Sequence, residues 1–316
     1  MITVISKVFS IFLIMAVGFV LYRKNIFPVA ATKYFVDLLL LVTTPCMILT
    51  SITSREFDAS MAVSTAQTLI LTCGFFAVSA FIGWILFKTV FKKTSKQDIG
   101  VYIFGFASVN NGFMGFPVTQ AIFGGDIFYL MVLHNIILSL YLYGAGPLIL
   151  SMHHEGPKMD FVSLTKKMAN PSIIFSILGI IMLFCGLQLP DMIFDTVDTI
   201  GQITVPLSML LVGMQLGDAD LKHIFSNITL VLMSLIKMLA LPLVTFLLVN
   251  WLPIADTVKI CLIFGASFPT AVVTSAIAVI ENKNSTLSAE CIAVATLISL
   301  VTIPVVALFL NGYYGL

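Results

Sequence analysis

Residues 101–125 read VYIFGFASVNNGFMGFPVTQAIFGG. The stretch is apolar enough to cross a bilayer, yet Asn110, Asn111, Gly112, Gly115 and Pro117 sit near its middle. Glycine and proline weaken or break a helix. In hydrocarbon each unpaired main-chain group costs several kcal/mol, so a break at that depth survives only where protein or a watery cavity satisfies the freed groups. The stretch therefore reads as a membrane helix interrupted halfway. A second one, ICLIFGASFPTAVVTSAIAVI at residues 260–280, carries Gly265, Ser267, Pro269, Thr270, Thr274 and Ser275 at the corresponding depth.

The rest of the chain matches this setting. Of 316 residues 59% are apolar and 10% charged, and the mean hydropathy is +1.09. An ordinary soluble domain carries about 25% charged residues. These values exclude a soluble enzyme, a disordered regulator and a secreted disulfide scaffold, and they point to an all-α, multi-pass membrane protein. The net charge of +1 gives no basic excess for nucleic acid. Cys46, Cys73, Cys185, Cys261 and Cys291 each lie in an apolar run and read as small buried hydrophobes.

Ten runs of spanning length recur, with approximate limits Ile2–Tyr22, Ala30–Ile52, Ser60–Phe87, Ile99–Phe123, Ile127–Met152, Asn170–Leu187, Pro190–Leu216, Leu221–Trp251, Ala255–Ile280 and Leu287–Leu310. The first reads as a retained helix rather than a cleaved signal, because Arg23 and Lys24 follow the apolar run instead of preceding it. The loops joining spans 1–2, 3–4, 5–6, 7–8 and 9–10 hold Arg23, Lys24, Lys88, Lys92, Lys93, Lys96, Lys158, Lys166, Lys167, Lys222 and Lys283. The opposite loops hold only Arg55, and collect Glu56, Asp58, Asp126, Asp191 and Asp256. The positive-inside bias predicts both termini outside the cell membrane.

The two halves resemble each other. TTPCMIL in span 2 matches TVPLSML in span 7, and Pro45 and Pro206 are 161 residues apart. IFGFAS in span 4 matches IFGAS in span 9, with Ser108 and Ser267 159 residues apart. Pro147 in span 5 and Pro304 in span 10 are 157 residues apart. The nearly constant offset predicts two five-span repeats, residues 1–152 and 169–316, joined by a cytoplasmic linker at 153–168. Five is odd, so the second repeat enters from the opposite side. Such inverted repeats are a transporter construction, and paired interruptions at matching positions point to the binding site. Two half-helices starting at the breaks would turn free N–H groups and positive dipole ends toward the midplane, which suits an anion. The substrate-binding candidates are Asn110, Asn111, Gly112, Pro117, Ser267, Pro269, Thr270 and Thr274.

At this point NNGFMGFPV, NPSIIFSILGI, VPLSMLLVGMQL, the KMLALPLV run and ATLISLVTIP, taken in order, resemble the motifs of the auxin efflux carrier family of permeases. That family includes plant PIN carriers and bacterial malate or malonate permeases. The resemblance covers nearly the whole chain. It implies broken, crossing helices 4 and 9 around an organic anion. It also implies a scaffold of spans 1, 2, 6 and 7, against which spans 3–5 and 8–10 slide like an elevator, and a homodimer. The long cytoplasmic loop of many plant members is absent, and no Asn stands beside Pro269.

Three ionisable residues inside spans are candidates for charge compensation or coupling. Lys237 lies in span 8, where a cation is costly and a functional candidate by default. Asp37 follows Lys33 by four residues, so the two share a helix face and can pair. His134, beside Asn135 in span 5, reads as a hydrogen-bonded structural residue or a proton relay. His153 and His154 in the linker lack further ligands, so no metal is expected. Pro45 and Pro206 read as hinges or packing notches, and Asn170-Pro171 as a helix start.

No hydrolase elbow, ATP-binding loop or cofactor motif is present in the sequence. The expectation is a secondary carrier or uniporter for a small organic anion, driven by the membrane potential or a proton. A sodium-coupled organic anion symporter of the bile-acid carrier type, and a membrane sensor that binds without transporting, are the alternatives.

Overall fold

The computed structural model describes residues 2–27, 29–55, 58–152, 171–218 and 227–315. Among them there is helix and no strand. Among the described residues, eight helical segments are long and apolar enough to cross a membrane: Ser6–Arg23, Thr32–Thr53, Ala59–Thr89, Lys96–Phe123, Gly125–Leu150, Asp191–Asp218, Ile228–Val249 and Ser285–Tyr314. They match expected spans 1–5, 7, 8 and 10. Span 6 is represented by a shorter apolar helix, Pro171–Phe184. Asn170, His153, His154 and the 153–168 linker lie outside the described residues. Span 9 is divided into Asp256–Ala266 and Val273–Ile280, so neither piece crosses alone.

In chain order the helices are α1 (Ile2–Arg23), α2 (Val29–Leu38), α3 (Thr44–Thr53), α4 (Ala59–Thr89), α5 (Lys96–Ala107), α6 (Phe116–Phe123), α7 (Gly125–Leu140) and α8 (Gly146–Leu150). They continue as α9 (Pro171–Phe184), α10 (Asp191–Gln202), α11 (Thr204–Asp218), α12 (Ile228–Val249), α13 (Asp256–Ala266), α14 (Val273–Ile280) and α15 (Ser285–Tyr314).

Three prolines share one local device. A π-helical turn at Leu39–Thr43 precedes Pro45, another at Asn111–Gly115 precedes Pro117, and a third at Tyr141–Ala145 precedes Pro147. The next residue's N–H reaches five residues back in each case: Thr44 to Leu39, Phe116 to Asn111 and Gly146 to Tyr141. Proline has no N–H, and its ring crowds the carbonyl four residues earlier. One extra residue in the preceding turn widens the helix there, which is how π-bulges bend helices.

Packing places span 4 at the centre. In its most apolar window 89% of the residues are buried, against 22% for α1 and 28% for α4. Those two turn much of their surface outward, including Phe9, Leu13, Val17, Val63, Ile70 and Phe81. α1 lies along α11, and α3 packs against α9 and α10. α4 packs against α5 and α7, α7 against α13, and α12 against α13 and α15. The α1–α11 contact is close because of glycine. A Cβ on Gly213 would lie 1.9 Å from the Met15 carbonyl oxygen, and one on Gly18 would lie 2.1 Å from that of Leu210. Gly213 and Gly217 form the small-xxx-small spacing that lets membrane helices touch backbone to backbone.

Two expectations change in the structure. Lys33 and Asp37 are both exposed and form no ion pair with each other. Cys73 and Cys185 are also exposed, whereas Cys261 and Cys291 are buried. In lipid an outward apolar position is as favourable for a thiol as an inward one, so an apolar run alone does not fix which way a cysteine faces.

Candidate functional site

Both interrupted helices break where the sequence places glycine and proline. α5 ends at Ala107, and Ser108–Asn110 run without helix before the chain turns into Asn111–Gly115 and α6. α13 ends at Ala266, and helix resumes at Val273. The breaks touch. The Asn110 N–H donates to the Pro269 carbonyl at 2.8 Å, and the Ala271 N–H points at Ser108 Oγ at 3.4 Å. Main-chain groups freed by one break are thus partly satisfied by the other, as a hydrocarbon setting demands.

The buried ammonium of Lys237 arrives from α12. It donates to the Gly105 carbonyl at 2.9 Å, to the Ser108 carbonyl, and to Thr270 Oγ1 at 3.0 Å. Thr270 Oγ1 in turn donates to the Gly105 carbonyl at 2.9 Å. These oxygens cluster where α5 ends, the negative end of its dipole. On the other side of the break, Asn111 Nδ2 lies 2.7 Å from His134 Nδ1. The His134 ring is fully buried, with Phe75 and Phe76 beside it at centroid distances of 5.6 and 5.4 Å. A side chain on Gly265 would come within 3.1 Å of His134 Nε2, so the glycine makes room for the imidazole.

A cavity of about 190 Å³ opens beside the touching breaks. Val109, Asn110, Asn111 and Gly112 form one wall, and Ala271, Val272 and Val273 another. Both walls are helix beginnings, where the first N–H groups lack intrahelical partners. Asn110 Oδ1 accepts from the Phe113 N–H at 3.3 Å as an N-cap. Asn110 Nδ2, Asn111 Oδ1 and Thr44 Oγ1 are buried without a partner, and all three residues line the cavity. Each unsatisfied buried group of this kind costs about 1–3 kcal/mol.

Of the eight binding candidates, Asn110, Asn111 and Gly112 line this cavity. The other five lie behind it. Pro117 is buried in the first turn of α6. Pro269 holds Asn110 through its carbonyl, and Thr270 bonds Gly105 and Lys237. Ser267 Oγ donates to the Phe264 carbonyl at 2.6 Å, closing the end of α13. Thr274 Oγ1 donates to the Ala271 carbonyl at 2.7 Å and accepts from Ser288. His134 touches Asn111 without lining the cavity, and Lys237 and Asp37 are not on its wall either.

The cavity adds Asn135, Ser139 and Tyr143, which were not among the binding candidates. Their spacing of four residues marks one helical face of an otherwise apolar span, a signal present in the sequence. Thr44, next to the span 2 proline, and Ser172 join them.

Comparison with known proteins places this architecture. The model of a family described as membrane transport protein matches residues 3–307. An uncharacterized transporter of Methanocaldococcus jannaschii is 26% identical over 251 residues, 74% of this chain and 75% of that protein. An uncharacterized transporter of Methanothermobacter thermautotrophicus is 27% identical over 199 residues, 63% of this chain and 64% of that protein. With a multi-pass helical body and a family match over nearly its whole length, the chain belongs to the membrane transport protein family, the auxin efflux carrier-like permeases that its motifs resemble.

Proposed function

We propose that this transporter carries a small organic anion, a carboxylate, in the cavity beside the two helix breaks. One observation carries the reading: Asn110, whose buried Nδ2 donor has no partner, lines a cavity wall where two helices begin. A carboxylate would accept from that amide and be favoured by the positive dipole ends of the two helix starts. Gly112 has open space around it, so the main chain is accessible there. Leu40, Leu138 and Leu142 on the facing wall suit the apolar part of the anion.

The reading extends to a ten-span body of two inverted repeats. In its support, each half contains one span broken at matching sequence positions. Pro45 and Pro206 each begin the second part of an interrupted span, at α3 and α11. The proposed motion is an elevator slide of spans 3–5 and 8–10 against spans 1, 2, 6 and 7. The α1–α11 and α3–α9 contacts would hold the second group together, and α4–α7, α7–α13 and α12–α15 the first. The reading keeps both termini outside the cell membrane; whatever the orientation, an inside-negative potential favours anion exit by ~2.3 kcal/mol per charge per 100 mV.

The test is flux through purified protein in liposomes against a panel of carboxylates. The proposal expects saturable movement of at least one carboxylate that responds to an imposed potential and disappears in Asn110→Ala. Ligand binding without flux would replace transport by sensing. Flux that follows a sodium gradient would replace the potential-driven carrier by a symporter.

A further inference from the structure

The Lys237 side-chain nitrogen is held inside the helical body by neutral oxygens alone. Its ammonium has three N–H groups, and the three acceptors are the Gly105 carbonyl, the Ser108 carbonyl and Thr270 Oγ1. The two carbonyls come from the unwinding end of α5, and the hydroxyl comes from the opposite break. Such unwound carbonyls and half-helix C-terminal ends are what coordinate free sodium ions or protons in transporters with broken helices. Here the chain's own ammonium occupies that place, and it is fully buried.

We propose that Lys237 is a tethered substitute for a coupling cation: it pins the two breaks together permanently, so that the carrier needs no sodium to assemble its site. Removing the side chain would leave Gly105 O, Ser108 O and Thr270 Oγ1 gathered around an electronegative hole. A small monovalent cation with its water would fill that hole. Lys237 is thus a positioning residue, acting on the cargo cavity through Ser108, Thr270 and the Asn110–Pro269 contact. This inference depends on the geometry of the breaks and is independent of which anion the cavity takes.

The experiment compares wild type with Lys237→Ala and Lys237→Ser. Each is purified in choline chloride and titrated with sodium, lithium or more choline at constant ionic strength, with the melting temperature as readout and no organic ligand present. The expected result is a wild-type melting temperature that is the same in sodium and in choline. At least one variant should melt several degrees lower in choline and recover saturably with sodium or lithium. Simple loss of packing would not produce that recovery. A wild type stabilised by sodium over choline would overturn the proposal, as would folded variants indifferent to the cation. Failure of both variants to fold even when expressed and extracted in sodium would also overturn it, since a free ion then cannot stand in for the ammonium.

Discussion

Nδ1 of His134 lies 2.7 Å from Nδ2 of Asn111, joining α7 to the turn that restarts span 4. With the amide as donor, Nδ1 accepts and the neutral ring carries its proton on Nε2. The bond fixes the orientation of Asn111, whose Oδ1 is left without a partner. His134→Leu is expected to cost ~1–3 kcal/mol of stability by stranding the amide. His134→Leu with Asn111→Leu should recover much of that loss, since removing both partners is nearly neutral. Thermal or denaturant unfolding of wild type, His134→Leu, Asn111→Leu and the double variant measures the coupling, and strict additivity would remove the bond from the account.

Two glycines should respond in opposite ways. An added methyl at Gly213 would meet the Met15 carbonyl at 1.9 Å, a main-chain atom that cannot turn aside. Gly213→Ala is expected to separate α1 from α11 and cost about 3 kcal/mol. At Gly112 a methyl meets nothing within 4 Å. Gly112→Ala should stay within ~1 kcal/mol of wild type in stability while losing ligand affinity, because the methyl enters the cavity. Unfolding measured beside ligand binding separates the two.

Arg55, just beyond α3, reaches Asp126 at the start of α7 with Nη1 2.5 Å from Oδ1, and its guanidinium lies over the Tyr129 ring at 5.5 Å. In the proposed elevator this tie crosses from the stationary group to the moving one. Asp126 is 81% exposed, so the pair contributes at most ~1 kcal/mol. Its position makes it a reporter. Arg55→Cys with Asp126→Cys, with Cys73 and Cys185 replaced by serine, should lose flux when bridged by a disulfide-containing bifunctional thiol reagent that spans the length of the lost arginine, and regain it on reduction. Undiminished flux through the crosslinked protein would argue against sliding at this boundary.

Asp58 caps α4, accepting from the Ser60 hydroxyl at 2.7 Å and the Met61 N–H at 2.6 Å. These bonds hold its carboxyl below the ordinary carboxylate range, the Ser60 bond contributing most. A carboxyl depressed in the folded state stabilises above its unfolded value and loses that contribution as pH falls through the folded one. Asp58→Asn keeps a cap without the titration. The melting-temperature advantage of wild type over this variant should therefore hold at neutral pH, begin to shrink below about pH 4, and disappear only as pH falls through the lower folded value.

Much of this architecture was legible from residue type and position. Span 4 betrays its break through Asn110-Asn111-Gly112 and Pro117, and span 9 through Gly265 and Pro269, because few other reasons place such residues at mid-membrane. The surroundings of the cavity were harder to read. Thr270 and Ser267 share a depth with Asn110, but depth does not say which way a hydroxyl turns, and theirs close helix ends instead. Lys237 stood out as a lysine inside a span, while two of its three acceptors, 132 and 129 residues away at Gly105 and Ser108, are main-chain carbonyls with no signature of their own. The close α1–α11 contact was written in Gly213 and Gly217, a pattern that names a packing face without naming its partner.

The claim on which the account rests is that Asn110 and the helix starts beside it receive a negative charge. The measurement is the melting temperature of purified wild type and Asn110→Ala, each titrated with a panel of carboxylates and with their uncharged methyl esters. At a hundredfold excess over Kd a specific ligand adds about 2.7 kcal/mol, a rise of roughly 5 °C for a chain of this size. The account predicts such a saturable rise for wild type with at least one acid, none with its ester, and none for an Asn110→Ala protein that otherwise melts close to wild type. An equal rise in both proteins, or an equal response to acid and ester, would contradict it.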